Sequence, residues 1–169
     1  MCSSDLFDVV GNNLYLIGDI NSYSINEVQQ AINKLESDKN NTTLNFYLTS
    51  EGGDVFEGLK LYDLLQATKL DVTIYISSFV GSAATLPLFS KHKVIMYKNS
   101  ILGFHELTHY SDKRYSNSKA SIELTDRLMD KIITIYNTKT QEITREWLVI
   151  DRYLDSDEAL RLNIVDEVK

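Results

Sequence analysis

The first half of the chain alternates between two hydrophobic patterns. Short apolar runs, some of them strictly alternating, are typical of strands, whereas apolar residues that recur every three or four positions are typical of helices. The predicted strands are 14–17, 44–48 and 72–76, and the predicted helices between them are 24–36 and 55–67. Strands that alternate with helices predict βαβ units and a largely parallel sheet.

Each of these two helices begins with a capping signal. Ser24 and Glu27 fit the pattern S-x-x-E, in which the serine oxygen accepts a hydrogen bond from one free N–H while the glutamate reaches back to another. Asp54 and Glu57 repeat this spacing at the second helix. The helices are therefore predicted to start at Ser24 and at Asp54.

The second half of the chain predicts two further strands and one long helix. The strands are 94–97 and 101–104, and a short apolar segment, 83–89, precedes them. The apolar residues that fall roughly on one side of the long helix are Ile122, Leu124, Leu128, Ile132, Ile135 and Tyr136. Because no linker interrupts the pattern, the chain is predicted to form one α/β domain over residues 1–169.

Composition and charge exclude several classes of protein. The 169 residues carry a net charge of −7 without a basic stripe, so a nucleic-acid partner is not expected. No apolar run approaches the ~18 residues of a membrane span, and the start lacks the features of a signal peptide. The single cysteine, Cys2, cannot form an intramolecular disulfide, so a cytoplasmic protein is expected. Metal-ligand spacings are lacking, so neither a metal nor a cofactor is expected.

Two junctions between a predicted strand and the segment after it carry residues suited to chemistry. At Gly52-Gly53 the lack of a Cβ lets the backbone approach a ligand or adopt a positive φ. At Gly81-Ser82 a hydroxyl lies where the free N–H groups of a helix start can hold an oxyanion. Alone, the first feature is more often a turn and the second more often a helix cap.

These positions together resemble the Clp protease proteolytic subunit family, ClpP. The family pattern is S-P-G-G, then a Gly, a Tyr-Asp pair, an Asp-Val strand entry and the nucleophilic serine. In the same order and without a gap, it matches Ser50-Glu51-Gly52-Gly53, Gly58, Tyr62-Asp63, Asp71-Val72 and Ser82. The tail matches the family ending at Asp151-Arg152-Tyr153-Leu154, Glu158-Ala159 and Val165-Asp166. Asn99-Ser100, an apolar strand and His105 resemble the strand that delivers the family's histidine. The resemblance covers about residues 13–169.

The resemblance implies a Ser-His-Asp triad. Ser82 would be the nucleophile, His105 the general base and acid, and Asp151 the carboxylate that orients the imidazole. A serine hydroxyl is a weak nucleophile at neutral pH, and a histidine with a reference pKa of about 6.5 can take its proton. The family's oxyanion donors map to the backbone N–H groups of Gly53 and Ala83.

Two of these assignments have rivals in the sequence. His109, four residues after His105, would be the base if the strand ended later, whereas His92, between two lysines, fits a solvated loop. Asp151 could instead cap a helix or pair with its neighbouring arginine. The nearby carboxylates that compete with it are Asp155 and Asp157.

The sequence departs from the family pattern at several places, among them the usual A-S-M-G around the nucleophile, which is here Gly81-Ser82-Ala83-Ala84. Glu51 stands where proline is usual, and the usual H-Q-P is here His105-Glu106-Leu107. Pro87 follows Ser82 by five residues, so the helix after the nucleophile should be kinked or start late. The first strand is expected near Asn13, which leaves a short segment before it and predicts weakened docking to an AAA+ unfoldase.

The function that the resemblance implies is a serine endopeptidase acting on unfolded polypeptides or peptides. The implied fold is a spiral of ββα units, with a head at about 13–105 and 148–169 and a projecting handle helix within about 106–147. The implied assembly is a homo-oligomeric ring, a heptamer or tetradecamer, with an AAA+ unfoldase as a possible partner. The alternatives are a ring subunit without activity and, less favoured, a crotonase-like acyl-CoA enzyme.

Overall fold

The computed structural model describes residues 6–107 and 118–169, and within these ranges eight strands form one sheet. Strands β1 to β8 are Leu6–Val10, Asn13–Ile17, Thr43–Ser50, Asp71–Gly81, Lys93–Met96, Ile101–Phe104, Arg152–Leu154 and Glu167–Val168. Helices α1 to α5 are Ser22–Ser37, Val55–Ala67, Ser118–Tyr136, Arg145–Leu148 and Ser156–Arg161, and a 3₁₀ helix spans Ser82–Phe89. The predicted α/β class is confirmed.

The sheet branches at β4. Its main path runs β1-β2-β3-β4-β5-β8, and every pair in it is parallel except β1 with β2. The first half of β4 pairs with β5 through Thr73–Ile76, and its last residues, Phe79–Gly81, pair with β6. Between the two halves Ser78 has a φ of +64°, and the register against β3 shifts. β6 then pairs antiparallel with β7, so β6 lies between the end of β4 and β7.

The core lies on the face of the sheet that α1 and α2 cover. Buried side chains alternate along β2, β3 and β4 with partly exposed ones. The buried members are Leu14, Leu16, Leu44, Phe46, Leu48, Val72, Ile74 and Ile76. Full burial of each such side chain contributes about 2 kcal/mol. On the opposite face Tyr15, Tyr47 and Tyr75 stack in a row, with neighbouring ring centroids 4.7 Å apart.

The two helix starts test the capping predictions. Asp54 caps α2, and its carboxylate accepts hydrogen bonds from the N–H groups of Phe56 and Glu57. The predicted start at Ser24 is wrong, because α1 is capped by Asn21. Asn21 and Ser24 form the capping box themselves, with Ser24 in the position that the prediction gave to a glutamate.

Strand β1 precedes the first predicted strand. It pairs antiparallel with β2 through a tight turn in which Gly11 has a φ of +60°. Its side chains Phe7 and Val9 are only partly buried, which leaves a weak hydrophobic signal in the sequence.

The long helix α3 is buried on one side only near its end. No residue from 119 to 127 is buried, whereas Leu128, Met129 and Ile132 are. Ile122 and Leu124, which the sequence pattern placed on the apolar side, are 51% and 48% exposed. Within the described ranges, none of the helices has the length and apolarity that a membrane span requires.

Candidate active site

Ser82 lies at a sharp turn where β4 ends and the 3₁₀ helix begins. Its φ is +53°, a conformation that is uncommon for residues other than glycine. Such a strained turn between strand and helix is the arrangement that presents a nucleophilic hydroxyl in other hydrolases. The following helix contains Pro87 and is 3₁₀ along its whole length, in keeping with the predicted disturbance of an α-helix.

The two glycines after β3 are shaped by close backbone contacts. Gly52 has a φ of +112°, and a Cβ there would lie 2.6 Å from the Cβ of Ser82 and 2.9 Å from the Gly81 carbonyl oxygen. Gly53 has a φ of +145°, and a Cβ there would lie 2.3 Å from the Ile20 carbonyl oxygen. The positive φ is therefore present at both glycines, and the group that approaches Gly52 closely is the serine turn.

A buried hydroxyl pair ties this turn to α3. The Thr85 hydroxyl donates its one hydrogen to the Ser82 carbonyl oxygen at 2.7 Å. The hydroxyl of Tyr136, 2.8 Å from the Thr85 hydroxyl, must therefore be the donor of the second hydrogen bond. Both side chains are buried, and burial raises the pKa of Tyr136 to about 12. The tyrosine therefore keeps its proton, and the turn is held by neutral hydrogen bonds.

Ser82, His105 and Asp151 line one pocket with a volume of about 360 Å³. Ser82 reaches it from the end of β4, His105 from the residue after β6, and Asp151 from the residue before β7. The three strands are hydrogen-bonded neighbours, which is why residues far apart in sequence converge here. The sequence prediction named these three residues, and the fold brings them to the same pocket.

Within the pocket the three side chains are not hydrogen-bonded to one another. Nδ1 of the exposed His105 lies 2.7 Å from the carbonyl oxygen of Glu106. Because a carbonyl oxygen only accepts, Nδ1 carries the proton and Nε2 is the basic nitrogen of the neutral ring. This is the tautomer that a general base acting on serine needs, with the Glu106 carbonyl in the place of a carboxylate.

The rival aspartates have structural partners. Asp155 caps α5 by accepting a hydrogen bond from the Glu158 N–H, and Asp157 forms an ion pair with Lys98 at 2.6 Å. Asp151 has neither kind of partner among the described residues. Its neighbour Arg152 instead lies over the Trp147 ring, 5.4 Å from the ring centroid. Of these three aspartates, Asp151 is therefore the one without a structural partner in the part of the chain that the structure describes.

The rival histidines have different outcomes. His92, predicted to lie in a solvated loop, is buried, and its Nε2 lies 2.7 Å from the Leu65 carbonyl oxygen. That prediction is wrong, and burial lowers the pKa of this imidazole. His109 lies outside the described residues. Within the described ranges, no group of three or more His, Cys, Asp or Glu side chains is placed to hold a metal ion.

The predicted oxyanion donors follow the two residues that meet at the serine turn, since Gly53 comes directly after Gly52 and Ala83 directly after Ser82. In the part of the chain that the structure describes, neither the Gly53 N–H nor the Ala83 N–H donates a hydrogen bond. Helix α2 packs closely against Ala83 at Gly58, where an added Cβ would lie only 2.8 Å from the Ala83 carbonyl oxygen. Both N–H groups are therefore available to an acceptor.

A second, smaller depression of about 20 Å³ also involves Ser82 and His105. Its other lining residues are mostly apolar, among them Val55, Leu86, Leu107, Met129 and Ile132. The serine and histidine thus stand between an apolar depression and the larger pocket.

Sequence reasoning missed the aromatic lining of the larger pocket. Phe79 lies across two glycines on neighbouring strands, since a Cβ on Gly81 or Gly103 would lie 2.5 or 2.6 Å from its ring. The ring centroid of Tyr153 is 6.5 Å from that of Phe79. The sequence feature that could have indicated this packing is the pair of glycines, Gly81 and Gly103, near the ends of β4 and β6.

Comparison with known families gives one finding. A family model described as Clp protease matches residues 5–169. The match includes the serine turn, both glycines of the loop after β3, and the strand ends that carry the histidine and the aspartate.

Proposed function

Because the chain belongs to the Clp protease family, a family of peptidases, we propose that it is a serine endopeptidase that cleaves unfolded polypeptides or peptides. Ser82 is the nucleophile, His105 the general base and acid, and Asp151 the orienting carboxylate. The proposal is supported by the convergence of these three residues on one pocket, together with the positive φ of Ser82.

The reaction follows the acyl-enzyme route. His105 Nε2 takes the Ser82 proton as Oγ attacks the peptide carbonyl, and the protonated imidazole then gives that proton to the leaving amine. The Gly53 and Ala83 N–H groups, which have no partner among the described residues, stabilise the tetrahedral oxyanion. Water, activated by the same imidazole, then hydrolyses the acyl-enzyme.

One rearrangement precedes this chemistry. The His105 Nδ1–H leaves the Glu106 carbonyl and donates to Asp151, which fixes the ring and stabilises the imidazolium that forms. Both side chains are exposed and line one pocket, so no buried contact has to be broken for this change.

The working form in this proposal is a homo-oligomeric ring, a heptamer or tetradecamer, that encloses the sites, with an AAA+ unfoldase as a further possible partner. The exposed Ile122 and Leu124 on the first part of α3 support an assembly, because burial of such residues against another copy is favourable. The division into head and handle remains a prediction.

A catalytically inactive ring subunit is the second candidate function. The hydrogen bond from His105 Nδ1 to the Glu106 carbonyl oxygen favours the inactive subunit, because an imidazole that keeps this bond has no carboxylate to stabilise its protonated form. The replacement of the family's H-Q-P by His105-Glu106-Leu107 points in the same direction.

Labelling with a fluorophosphonate separates the two candidates. A working nucleophile gives a covalent adduct on Ser82, and Ser82→Ala abolishes it and lowers peptide turnover by several orders of magnitude. Ser37→Ala, at the exposed end of α1, is the matched control and keeps full labelling. Labelling that persists in Ser82→Ala would reject this nucleophile, and an unlabelled wild-type chain would favour the inactive subunit. Native mass spectrometry of the same samples tests the ring.

A further inference from the structure

Glu51 lines the same pocket as the proposed triad, at a position where proline is usual in the family pattern. It lies on the loop between β3 and α2, directly before Gly52. Its backbone is held against the serine turn, since a Cβ on Gly81 would lie 3.4 Å from the Glu51 carbonyl oxygen. The side chain is exposed, so the pocket has a second carboxylate besides Asp151.

Among the described residues that line the pocket, there is no lysine or arginine to balance these carboxylates. Glu51 makes no hydrogen bond or ion pair with any described residue, and Asp151 is the residue that His105 uses in the proposed function. When the triad assembles, Glu51 is the carboxylate that remains free.

The walls beside Glu51 are aromatic. Phe79 and Tyr153 both line the pocket, and Tyr153 is 64% exposed. An aromatic wall next to a carboxylate suits the side chain of lysine or arginine, because the methylene stem packs on the rings while the cationic head meets the carboxylate. The volume of about 360 Å³ is sufficient for such a side chain.

We propose that Glu51 selects substrates with a lysine or arginine beside the scissile bond. This inference rests on the proposed function, and it names the substrate class of the same site. Since Ser82 and His105 line the pocket that also contains Glu51, a basic side chain held in this pocket lies beside the scissile bond.

Binding to a Ser82→Ala background tests this without requiring turnover. The probes are two fluorescein-labelled peptides of identical composition, measured by fluorescence anisotropy. In the first, lysines flank a central leucine on both sides, and in the second the same lysines lie at the peptide ends. Because the composition is shared, the general attraction of a chain with a net charge of −7 for cations acts on both.

We expect the first peptide to bind about fivefold more tightly, the upper range for an exposed charge pair, and raised salt to weaken this preference. Glu51→Gln in the Ser82→Ala background removes the preference. Asp63→Asn in that background keeps it, because Asp63 is an exposed carboxylate on α2 outside the pocket.

Equal binding of the two peptides, or a preference that survives Glu51→Gln, would overturn the inference. Turnover by the otherwise unmodified chain decides the proposed function separately. Hydrolysis of both peptides at equal rates, without a binding preference, rejects the role of Glu51 and keeps the peptidase. A binding preference that depends on Glu51 with no hydrolysis of either peptide keeps that role and rejects the peptidase.

Discussion

The two halves of the proposed catalytic site are held in very different ways. The serine half is determined by several buried neighbours of Ser82: Gly52 packs against it, Thr85 donates a hydrogen bond to its carbonyl oxygen, and Tyr136 donates to Thr85. The acid–base half consists of His105 and Asp151, both exposed, and among the described residues the only hydrogen-bond partner of either is a backbone carbonyl.

This difference separates what folding determines from what it leaves open. The strained serine turn is maintained by contacts that also stabilise the fold. The imidazole and carboxylate contribute little to stability, so their arrangement can change at small cost. The serine half should therefore respond to mutation in both stability and activity, and the acid–base half in activity alone.

The largest effect is expected at Asp151. Asp151→Asn should lower peptide turnover about 10⁴-fold, because the imidazole then loses the carboxylate that orients it. The same change should alter the free energy of unfolding by less than about 0.5 kcal/mol, because the carboxylate has no stabilising partner. Steady-state kinetics and urea unfolding provide the two measurements.

Asp155→Ala is the matched control for this variant. It removes the cap of α5, which costs about 1 kcal/mol, and leaves turnover unchanged. If Asp151→Asn destabilised the fold as much as the control while turnover stayed normal, the separation of the two halves would be wrong.

Gly52→Ala is the strongest test of the serine half. The new Cβ meets both Ser82 and the Gly81 carbonyl at a φ of +112°, so we expect a loss of about 3 kcal/mol in unfolding free energy together with weaker fluorophosphonate labelling. Gly11→Ala is the control, because Gly11 also has a positive φ but nothing lies within 4 Å of its new Cβ. It should cost about 1 kcal/mol and leave labelling intact. Equal effects of the two variants would contradict a specific fit at Gly52.

Removal of the Thr85 hydroxyl tests the connection between the serine turn and α3. Thr85→Val leaves the Ser82 carbonyl and the buried Tyr136 hydroxyl without a partner, which should cost about 2 kcal/mol. Tyr136→Phe removes only the outer member of the pair and should cost about 1 kcal/mol. Urea unfolding of the double variant should show less than the sum of the two losses, whereas full additivity would mean that the two hydroxyls are independent.

The smallest expected effect concerns His92. Burial lowers the pKa of His92, so as pH falls below about 6.5 the unfolded chain takes up a proton that the folded chain does not. This group therefore reduces stability progressively as pH falls through that range and has no effect above it. His92→Gln keeps a hydrogen-bond donor and should flatten the dependence of the urea midpoint on pH between 7.5 and 5.5. Parallel curves for the two proteins would show that another group is responsible.

The sequence predicted the parts of the molecule where one local pattern dominates. Helix α2 was predicted with its observed bounds, because Asp54 is a strong cap and the apolar positions are regular. The cap of α1 was misplaced, because Asn21 and Ser24 are both residue types that cap helices and only the backbone determines which of them does so. The burial of His92 depended on packing against Leu65, which lies 27 residues away and has no local signature.

For the candidate site, the sequence led to the three residues and to the loop glycines, and the fold places them together. It did not predict the hydrogen bond from His105 to the carbonyl oxygen of Glu106, because a sequence pattern does not determine how an exposed imidazole ring is rotated. The aromatic wall made by Phe79 and Tyr153 was also missed, since Gly103 and Tyr153 reach Phe79 from strands that lie far along the chain. The catalytic roles of Ser82, His105 and Asp151 remain predictions.

The branching of the sheet at β4 has a consequence for cooperativity. Among the described residues, the strands next to the histidine and the aspartate are joined to the rest of the sheet through three residue pairs, Phe79–Ile101, Val80–Leu102 and Gly81–Gly103. The β3–β4 ladder is longer and lies over the core. Sub-global opening should therefore detach the β6–β7 pair before the central strands, with faster amide hydrogen exchange as its signature. The chain would then lose its acid–base half while most of the domain remained folded.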